Sequence, residues 1–379
     1  MRVAIVHYWL VGMRGGEKVL EALCETFPDA DIFTHVYVPS KISDTIKAHR
    51  IRTTFIAKLP MASRLYQKYL PLMPMALEQL DLSAYDLVIS SESGPAKGVI
   101  TRPDALHVCY CHTPMRYLWN SYHAYKSAAN PATRLLMLTL MHRLRLWDLA
   151  SAARVDYFIA NSENVASRIR KYYRRSAKVI YPPVDTQQIQ ATRDEPGDFY
   201  LHVGQLVRYK RTEIAIAAFN RMKKRLVVIG QGEEFRNLKK IAGPTVEMIG
   251  WQDGESLSAY YARCRALIFV ADEDFGIVPV EAMSAGRPVI ALRQGGALET
   301  VIPGETGIFF EEQTVEALSE AVARFELLEH TFEKKRIAMR AKAFSKAVFK
   351  DRIVEAIDGW FDARPSARAP LEPRMLRVS

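Results

Sequence analysis

Two carboxylates, Glu273 and Glu281, stand with seven residues between them in the stretch ADEDFGIVPVEAM (271–283). The apolar run RALIFV (265–270) leads into it, and the helix-forming run VPVEAMSAG (278–286) leads out. Gly276, after Phe275, lets the backbone bend and expose its N–H groups. A helix starting near Ile277 leaves those groups unpaired, and they and the helix dipole favour an anion. Two acceptors beside an anion-binding turn suit a sugar nucleotide, with hydroxyls on the carboxylates and a diphosphate on the N–H groups. The plain alternative is a solvated helix start with Glu281 on its outer face.

Other stretches carry chemistry of the same kind. Gly12-Met13-Arg14-Gly15-Gly16-Glu17-Lys18 follows the first apolar run and opens a helical pattern. Its glycines permit close phosphate approach, though the spacing is not the dinucleotide fingerprint. Cys111-His112-Thr113-Pro114-Met115-Arg116-Tyr117-Leu118-Trp119 follows another apolar run, where the ligand crevice of an open α/β sheet lies. A lone histidine is more often structural, but this position favours a ligand-facing role for His112. In Val203-Gly204-Gln205-Leu206-Val207-Arg208-Tyr209-Lys210-Arg211 three cations are available to neutralise a departing diphosphate. Asp272-x-Asp274 has metal-motif spacing but overlaps the two-glutamate stretch.

These segments resemble the retaining glycosyltransferases of family 4, which have the GT-B fold. The 273–281 segment is similar to that family's E-x7-E motif. The resemblance implies that Glu273 contacts the transferred sugar and Glu281 the nucleotide ribose. It places Gly15 and Gly16 against the donor diphosphate. The string HTPMRYLW resembles the bacterial polysaccharide mannosyltransferase branch, which implies a hexose contact for His112. Arg116, Tyr117 and Trp119 are then candidates for the acceptor side. Lys210 matches the lysine of the family's G-R-L-x-x-x-K signature. Gln205 stands where the arginine belongs and supplies no charge, leaving Arg208 or Arg211 to compensate. Gly232, in IGQGE, resembles the glycine turn near the nucleotide, and Trp251 and Gln252 lie where the family reads the base. The implied catalytic set is His112, Glu273 and Lys210.

The resemblance further implies a nucleotide-sugar donor, GDP-mannose or a related GDP-hexose, a polyprenyl-diphosphate oligosaccharide acceptor, and no metal or other cofactor. It covers residues 1–360. The alternatives are another donor such as GDP-rhamnose or a UDP-sugar, a sugar-nucleotide epimerase of similar architecture, and an inactive sugar-nucleotide-binding scaffold, for which Gln205 is the best argument.

The elements that must hold these residues are legible as an alternation. Apolar runs near 2–7, 31–37, 86–90, 105–110, 156–160 and 177–181 alternate with helical patterns near 16–27, 133–153 and 163–173; residues 53–56 are a further candidate strand. After the polar stretch 185–198 the alternation restarts, with strands near 199–203, 226–229, 245–249, 265–270, 288–291 and 306–310. Helices are expected near 211–222, 233–241, 255–263, 278–285, 313–328 and 333–360. The pattern predicts an α/β protein with two Rossmann-like, doubly wound parallel-sheet domains and a cleft between them. The domains are residues 1–184 and 199–346, joined by a linker at 185–198. The GT-B resemblance implies that a last helix at about 347–361 returns to the first domain. Residues 363–379 have little to bury and read as a disordered basic tail.

The bulk numbers narrow the class. With 49% hydrophobic and 25% charged residues, the chain has the composition of a soluble globular protein. The four scattered cysteines fit neither a zinc knuckle nor a redox pair and read as reduced cytosolic thiols. No run reaches the roughly 18 apolar residues of a membrane span, and the start lacks the marks of a signal peptide. Residues 1–190 hold 24 Lys and Arg against 15 Asp and Glu, while residues 191–379 hold 28 against 27. That asymmetry suggests an anionic partner for the first half. With the apolar segments 60–80 and 133–147, it favours an anionic membrane surface over nucleic acid, and so a cytoplasmic protein held peripherally at the inner face of the membrane.

Overall fold

Short runs of fully buried apolar residues alternate with amphipathic helices, and the chain folds them into two parallel sheets. The computed structural model describes residues 1–128, 130–187, 189 and 197–363. The first sheet holds β1 (Val3–His7), β2 (Asp31–Thr34), β3 (Ile51–Thr53), β4 (Leu87–Glu92), β5 (Leu106–Cys111), β6 (Tyr157–Ala160) and β7 (Ala177–Val179), in the order β3-β2-β1-β4-β5-β6-β7. The second holds β8 (Phe199–Val203), β9 (Arg225–Ile229), β10 (Val246–Gly250), β11 (Leu267–Phe269), β12 (Val289–Leu292) and β13 (Gly307–Phe310), in the order β10-β9-β8-β11-β12-β13. Every strand pairing is parallel. Central strands such as β1 and β5 are buried along their whole length, as helices on both faces require. In each sheet the order reverses beside the first strand, between β1 and β4 and between β8 and β11. Ligands of open α/β sheets bind at such switch points.

Several elements differ from the sequence reading. The candidate strand at 53–56 is β3, ending at Thr53, followed by a helical turn at Phe55–Lys58 that buries Ile56 against Val36 and Met73. The 60–80 segment folds into short helical pieces, Ala62–Leu65, Tyr66–Leu72 and Met73–Glu78. A helix at Tyr122–Ala128 was not anticipated. The single helix expected at 333–360 is two, Lys334–Lys342 and Lys346–Asp362. The break has a physical cause: the Val184 N–H donates to the Phe344 carbonyl at 2.9 Å, and Ser345 caps the second helix by accepting from the Val348 N–H.

That second helix sits on the first sheet. Phe349, Ile353, Ala356 and Ile357 share one core with Ile5, Ile89 and Val108, and Trp360 stacks on Tyr157 at 4.4 Å. Lys346 and Lys350 both reach Glu25. Most of the expected linker, and the expected tail from residue 364, lie outside the described residues.

Candidate functional site

The carboxyl ends of the strands of both sheets face one cleft of about 1170 Å³. On the second-domain side the chain leaves β11, turns through Glu273–Gly276 and enters the helix Ile277–Ser284. Gly276 has φ +82°, a left-handed conformation that side chains rarely tolerate, and no side chain caps the helix start. Phe275, Gly276, Ile277 and Val278 line the cleft there. The turn is held from behind by Gly295 and Gly296, where a Cβ would lie 2.2 Å from the Glu273 carbonyl oxygen and 2.2 Å from Phe275 Cα respectively. The Gly296 N–H donates to that same carbonyl at 2.9 Å. Neither glycine was singled out in the sequence, although QGG one residue beyond β12 is a visible signal.

Lys210 reaches Glu273 Oε1 at 2.6 Å. Burial, the largest single effect, works to lower the Lys210 pKa, but the Glu273 charge, the Tyr209 hydroxyl and the hydrogen bond to Glu273 together hold the ammonium above its ordinary value. Arg208, Tyr209 and Arg211 line the same wall, with Arg211 paired to Glu213 at 2.6 Å.

Across the cleft, the first domain contributes Tyr8, Gly15, Gly16 and His112. A Cβ at Gly16 would lie 2.5 Å from the Tyr8 hydroxyl, so this floor accepts only glycine without a shift. His112 Nε2 pairs with Ser91 Oγ at 3.0 Å. Burial, with a smaller contribution from His7, pushes the His112 pKa down to about 3, so the ring is neutral at physiological pH.

Charged contacts tie the two domains together around the cleft. Arg116 Nη2 meets Asp274 Oδ1 at 2.6 Å, and Arg168 bonds the same oxygen. Glu299 accepts from the backbone N–H groups of Glu163 and Asn164 at 2.8 and 3.0 Å, completing a helix N-terminus in the other domain. Lys18 lies 3.4 Å from Glu281. Arg168, Asp274 and Glu299 were missed in the sequence as contact residues, because nothing local marks a mid-helix arginine as the partner of an aspartate 106 positions away.

The cleft thus brings together Gly15, Gly16, His112, Arg116, Arg208, Lys210, Arg211, Glu273, Phe275, Gly276 and Ile277. The other candidates lie elsewhere. Glu281 is not among the lining residues; it is largely buried, accepting from the Tyr261 hydroxyl at 2.8 Å with its other oxygen 3.4 Å from Lys18. Gln205 is exposed and is not among the lining residues. Gly232 lines a neighbouring hollow of about 520 Å³ that shares Glu233 with the cleft. Trp251 is 65% exposed, and Gln252 lines a separate hollow with Arg225 and Tyr260. Trp119 and Tyr117 require correction as acceptor-facing residues. The Trp119 ring stacks on Tyr172 at 4.8 Å and donates to Asp148 Oδ2 at 2.7 Å, while the Tyr117 hydroxyl turns to Met115 Sδ. Both rings are committed to packing within the first domain.

Two parallel-sheet domains, a cleft at their switch points and a lysine–glutamate pair in it define a protein of GT-B type. Residues 13–188 match the family model described as Glycosyltransferase Family 4, and residues 184–346 match the one described as Glycosyl transferases group 1. The two models run on from one another, and the chain belongs to the GT-B glycosyltransferases of that family.

Among individual relatives, it is 27% identical over 207 residues to an uncharacterized glycosyltransferase of Methanocaldococcus jannaschii, covering 53% of this chain and 58% of that protein. It is 28% identical over 232 residues to a GDP-mannose-dependent alpha-(1-6)-phosphatidylinositol monomannoside mannosyltransferase of Mycobacterium tuberculosis, covering 51% of this chain and 60% of that protein. The matched regions thus span less than two thirds of these curated relatives. The fold is similar to that of Anabaena Alr3699/HepE, solved in complex with UDP and glucose, with a TM-score of 0.69 at 17% identity over 94% of this chain and 99% of that one.

Proposed function

We propose that the protein transfers a hexose from a nucleotide sugar to an acceptor hydroxyl with retention of anomeric configuration. The observation that carries this reading is the Lys210–Glu273 pair beside an uncapped helix N-terminus, facing a neutral His112 across the cleft. Lys210, with Arg208 and the N–H groups after Phe275, neutralises the departing diphosphate. Glu273 and His112 hold the hexose, and a leaving phosphate oxygen takes the acceptor's proton on the same face of the sugar. The transition state is oxocarbenium-like, and the closed cleft keeps water from it. The hollow at Gly232 suits the nucleoside, with Glu281 within the same domain for the ribose.

The donor is GDP-mannose or a related GDP-hexose, a reading supported by the name of the mycobacterial relative and the HTPMRYLW string. The acceptor is a lipid-diphosphate-linked oligosaccharide of bacterial surface polysaccharide synthesis. No metal takes part. Asp274, the second aspartate of Asp272-x-Asp274, is spent on Arg116 and Arg168. Chelation with EDTA is therefore expected to leave the rate unchanged, and an initial rate that collapses in EDTA and returns with a divalent ion overturns this point. A panel of nucleotide sugars, scored by thermal shift and by nucleotide release with and without a polyprenyl-diphosphate acceptor, tests the reaction. Free epimerised sugar nucleotide as the product, or binding without turnover on any acceptor, contradicts it.

The protein works at the inner face of the membrane. No described helix is long and apolar enough to cross a bilayer. The helix Pro131–Ala152 nevertheless exposes Leu135, Leu138, Leu146 and Leu149, spaced along one face, with Arg143 also exposed. A buried leucine gains roughly 1.5–3 kcal/mol over an exposed one, so such a face favours an interfacial position on anionic lipid. The double variant Leu138→Asp/Leu146→Asp is expected to lose most of its flotation with anionic vesicles while keeping its Tm. Unchanged flotation rules this face out.

A further inference from the structure

His112 is the outer end of a chain of polar groups that runs into the first domain. Its Nε2 pairs with Ser91 Oγ at 3.0 Å, and Ser91 Oγ pairs with His7 Nδ1 at 3.2 Å. His7 Nε2 then lies 3.7 Å from Glu17 Oε1, and Glu17 Oε2 accepts the Arg14 N–H at 3.0 Å. His7, Ser91 and Glu17 are each at most 2% exposed, so water does not supply alternative partners. They come from β1, β4 and the helix Gly15–Thr26, so the chain is rigidly mounted.

The Glu17 carboxyl biases the direction of the hydrogen bonds along this chain. His7 Nε2 makes no hydrogen bond at that distance, but the Glu17 carboxyl favours an N–H over a lone pair on the nitrogen that faces it, and so the Nε2–H tautomer of His7. His7 Nδ1 is then an acceptor and takes the single Ser91 proton. With that proton spent, Ser91 accepts from His112 Nε2–H. His112 Nδ1 is left as a bare lone pair, the nitrogen available to a ligand in the cleft.

We propose that Glu17, His7 and Ser91 are positioning residues that lock His112 in its Nε2–H tautomer, so that Nδ1 accepts a hydrogen bond from a hydroxyl of the bound hexose. The role rests on the transferase reading above, but its structural part does not need turnover. The device selects a ligand that donates at that point, a sugar hydroxyl rather than a carbonyl or ether oxygen. Loss of a carboxylate, imidazole or hydroxyl several ångströms from the sugar then changes what the cleft presents.

The test is the tautomer of His112 in the full chain labelled with ¹⁵N-histidine. It is read by long-range ¹H–¹⁵N correlation, with the His112 signals assigned from His112→Asn. The wild type is expected to show Nε2–H. His7→Leu removes the acceptor for Ser91, so the Ser91 proton turns to His112 and the ring is expected to switch to Nδ1–H. Ser91→Ala is expected to give a mixture of the two. In nucleotide-release assays both variants are expected to lose about tenfold in kcat, the worth of one hydrogen bond in an enclosed site, with little change in KM for the donor. His7→Asn, whose Oδ1 replaces Nδ1 as acceptor, is expected to restore the wild-type tautomer and most of kcat. A wild-type ring in the Nδ1–H form, or a ring whose tautomer ignores both His7→Leu and Ser91→Ala, overturns the proposal. A protein inactive with every donor that still shows these tautomer changes sinks the transferase reading and leaves the relay standing.

Discussion

Lys210→Ala is expected to lower kcat/KM for hexose transfer by 10²–10³-fold, a loss of about 3–4 kcal/mol of transition-state stabilisation. In the proposed reaction the diphosphate gains negative charge as the glycosidic bond breaks, and Lys210 is the cation held closest to the sugar-side carboxylate, 2.6 Å from Glu273. Both groups are largely enclosed, which strengthens a charge interaction relative to water. Lys210→Arg keeps the charge with a different shape and is expected to recover part of the rate. Glu273→Gln is expected to lower kcat as well, because it removes the hexose contact and leaves Lys210 without its counter-charge. Trp119→Phe separates chemistry from folding: that ring is committed to Tyr172 and Asp148, so Tm should fall while kcat of the folded fraction holds. Single-turnover nucleotide release measures all four variants. Lys210→Ala retaining turnover within about threefold of wild type would remove the lysine from the mechanism.

Acid is expected to destabilise the protein well above the range in which carboxylates usually titrate. His35, His107 and His202 are buried, and burial pushes each pKa down to about 4. The unfolded chain binds those protons near pH 6.5. Between about pH 6.5 and 4 the unfolded state therefore takes up protons that the folded state refuses, and stability falls as the pH falls. At pH 5 each histidine costs roughly 2 kcal/mol, and His112, whose pKa lies lower still, adds a comparable amount, so the four together cost roughly 8 kcal/mol.

One group acts the other way. Burial raises the Glu92 pKa above the usual carboxylate range, against the Lys97 ammonium that it shares with Asp148, so its protonation stabilises the fold as the pH drops. That offsets part of the histidine loss and leaves a net fall in stability between pH 7 and pH 5, set against the roughly 5–15 kcal/mol of an ordinary domain. His202 donates to the Ile268 carbonyl through Nδ1 and accepts from Thr212 through Nε2, so His202→Gln removes one titrating group from this set. A Tm series from pH 8 to pH 4.5 is expected to drop steeply below pH 6.5 in the wild type, and less steeply in the variant. A flat series, or a Tm that rises on acidification, contradicts the account.

Much of the architecture was legible because its cause is local. Runs such as VAIVH and LHVCYC carry enough apolar residues to be buried on both faces, and helical patterns of suitable length separate them. Such strands can form only a covered parallel sheet. The turn at Phe275–Gly276 was legible for a similar reason, since its glycine permits the left-handed backbone found there. Other candidates lie outside the cleft lining, for a different cause. Trp119 and Tyr117 follow a ligand-facing strand end, but Asp148 and Tyr172 lie close enough to capture the Trp119 ring. Trp251 and Gln252 follow β10 at the sheet's edge, and the loop carries them away from the cleft.

The residues by themselves settled that this chain forms two parallel sheets, where their glycine turns fall, and that Lys210 and Glu273 follow strand ends while Glu281 lies in the helix beyond. Only the tertiary structure decided that Arg116 and Arg168 converge on Asp274, 158 and 106 positions away, and that Glu299 completes a helix in the other domain. The same holds for the file of Glu17, His7 and Ser91 behind His112. Strand and turn preferences act over a few residues and leave their mark in composition. The meeting of side chains across a cleft depends on how two packed bodies are set against each other, and that orientation leaves no local pattern to read.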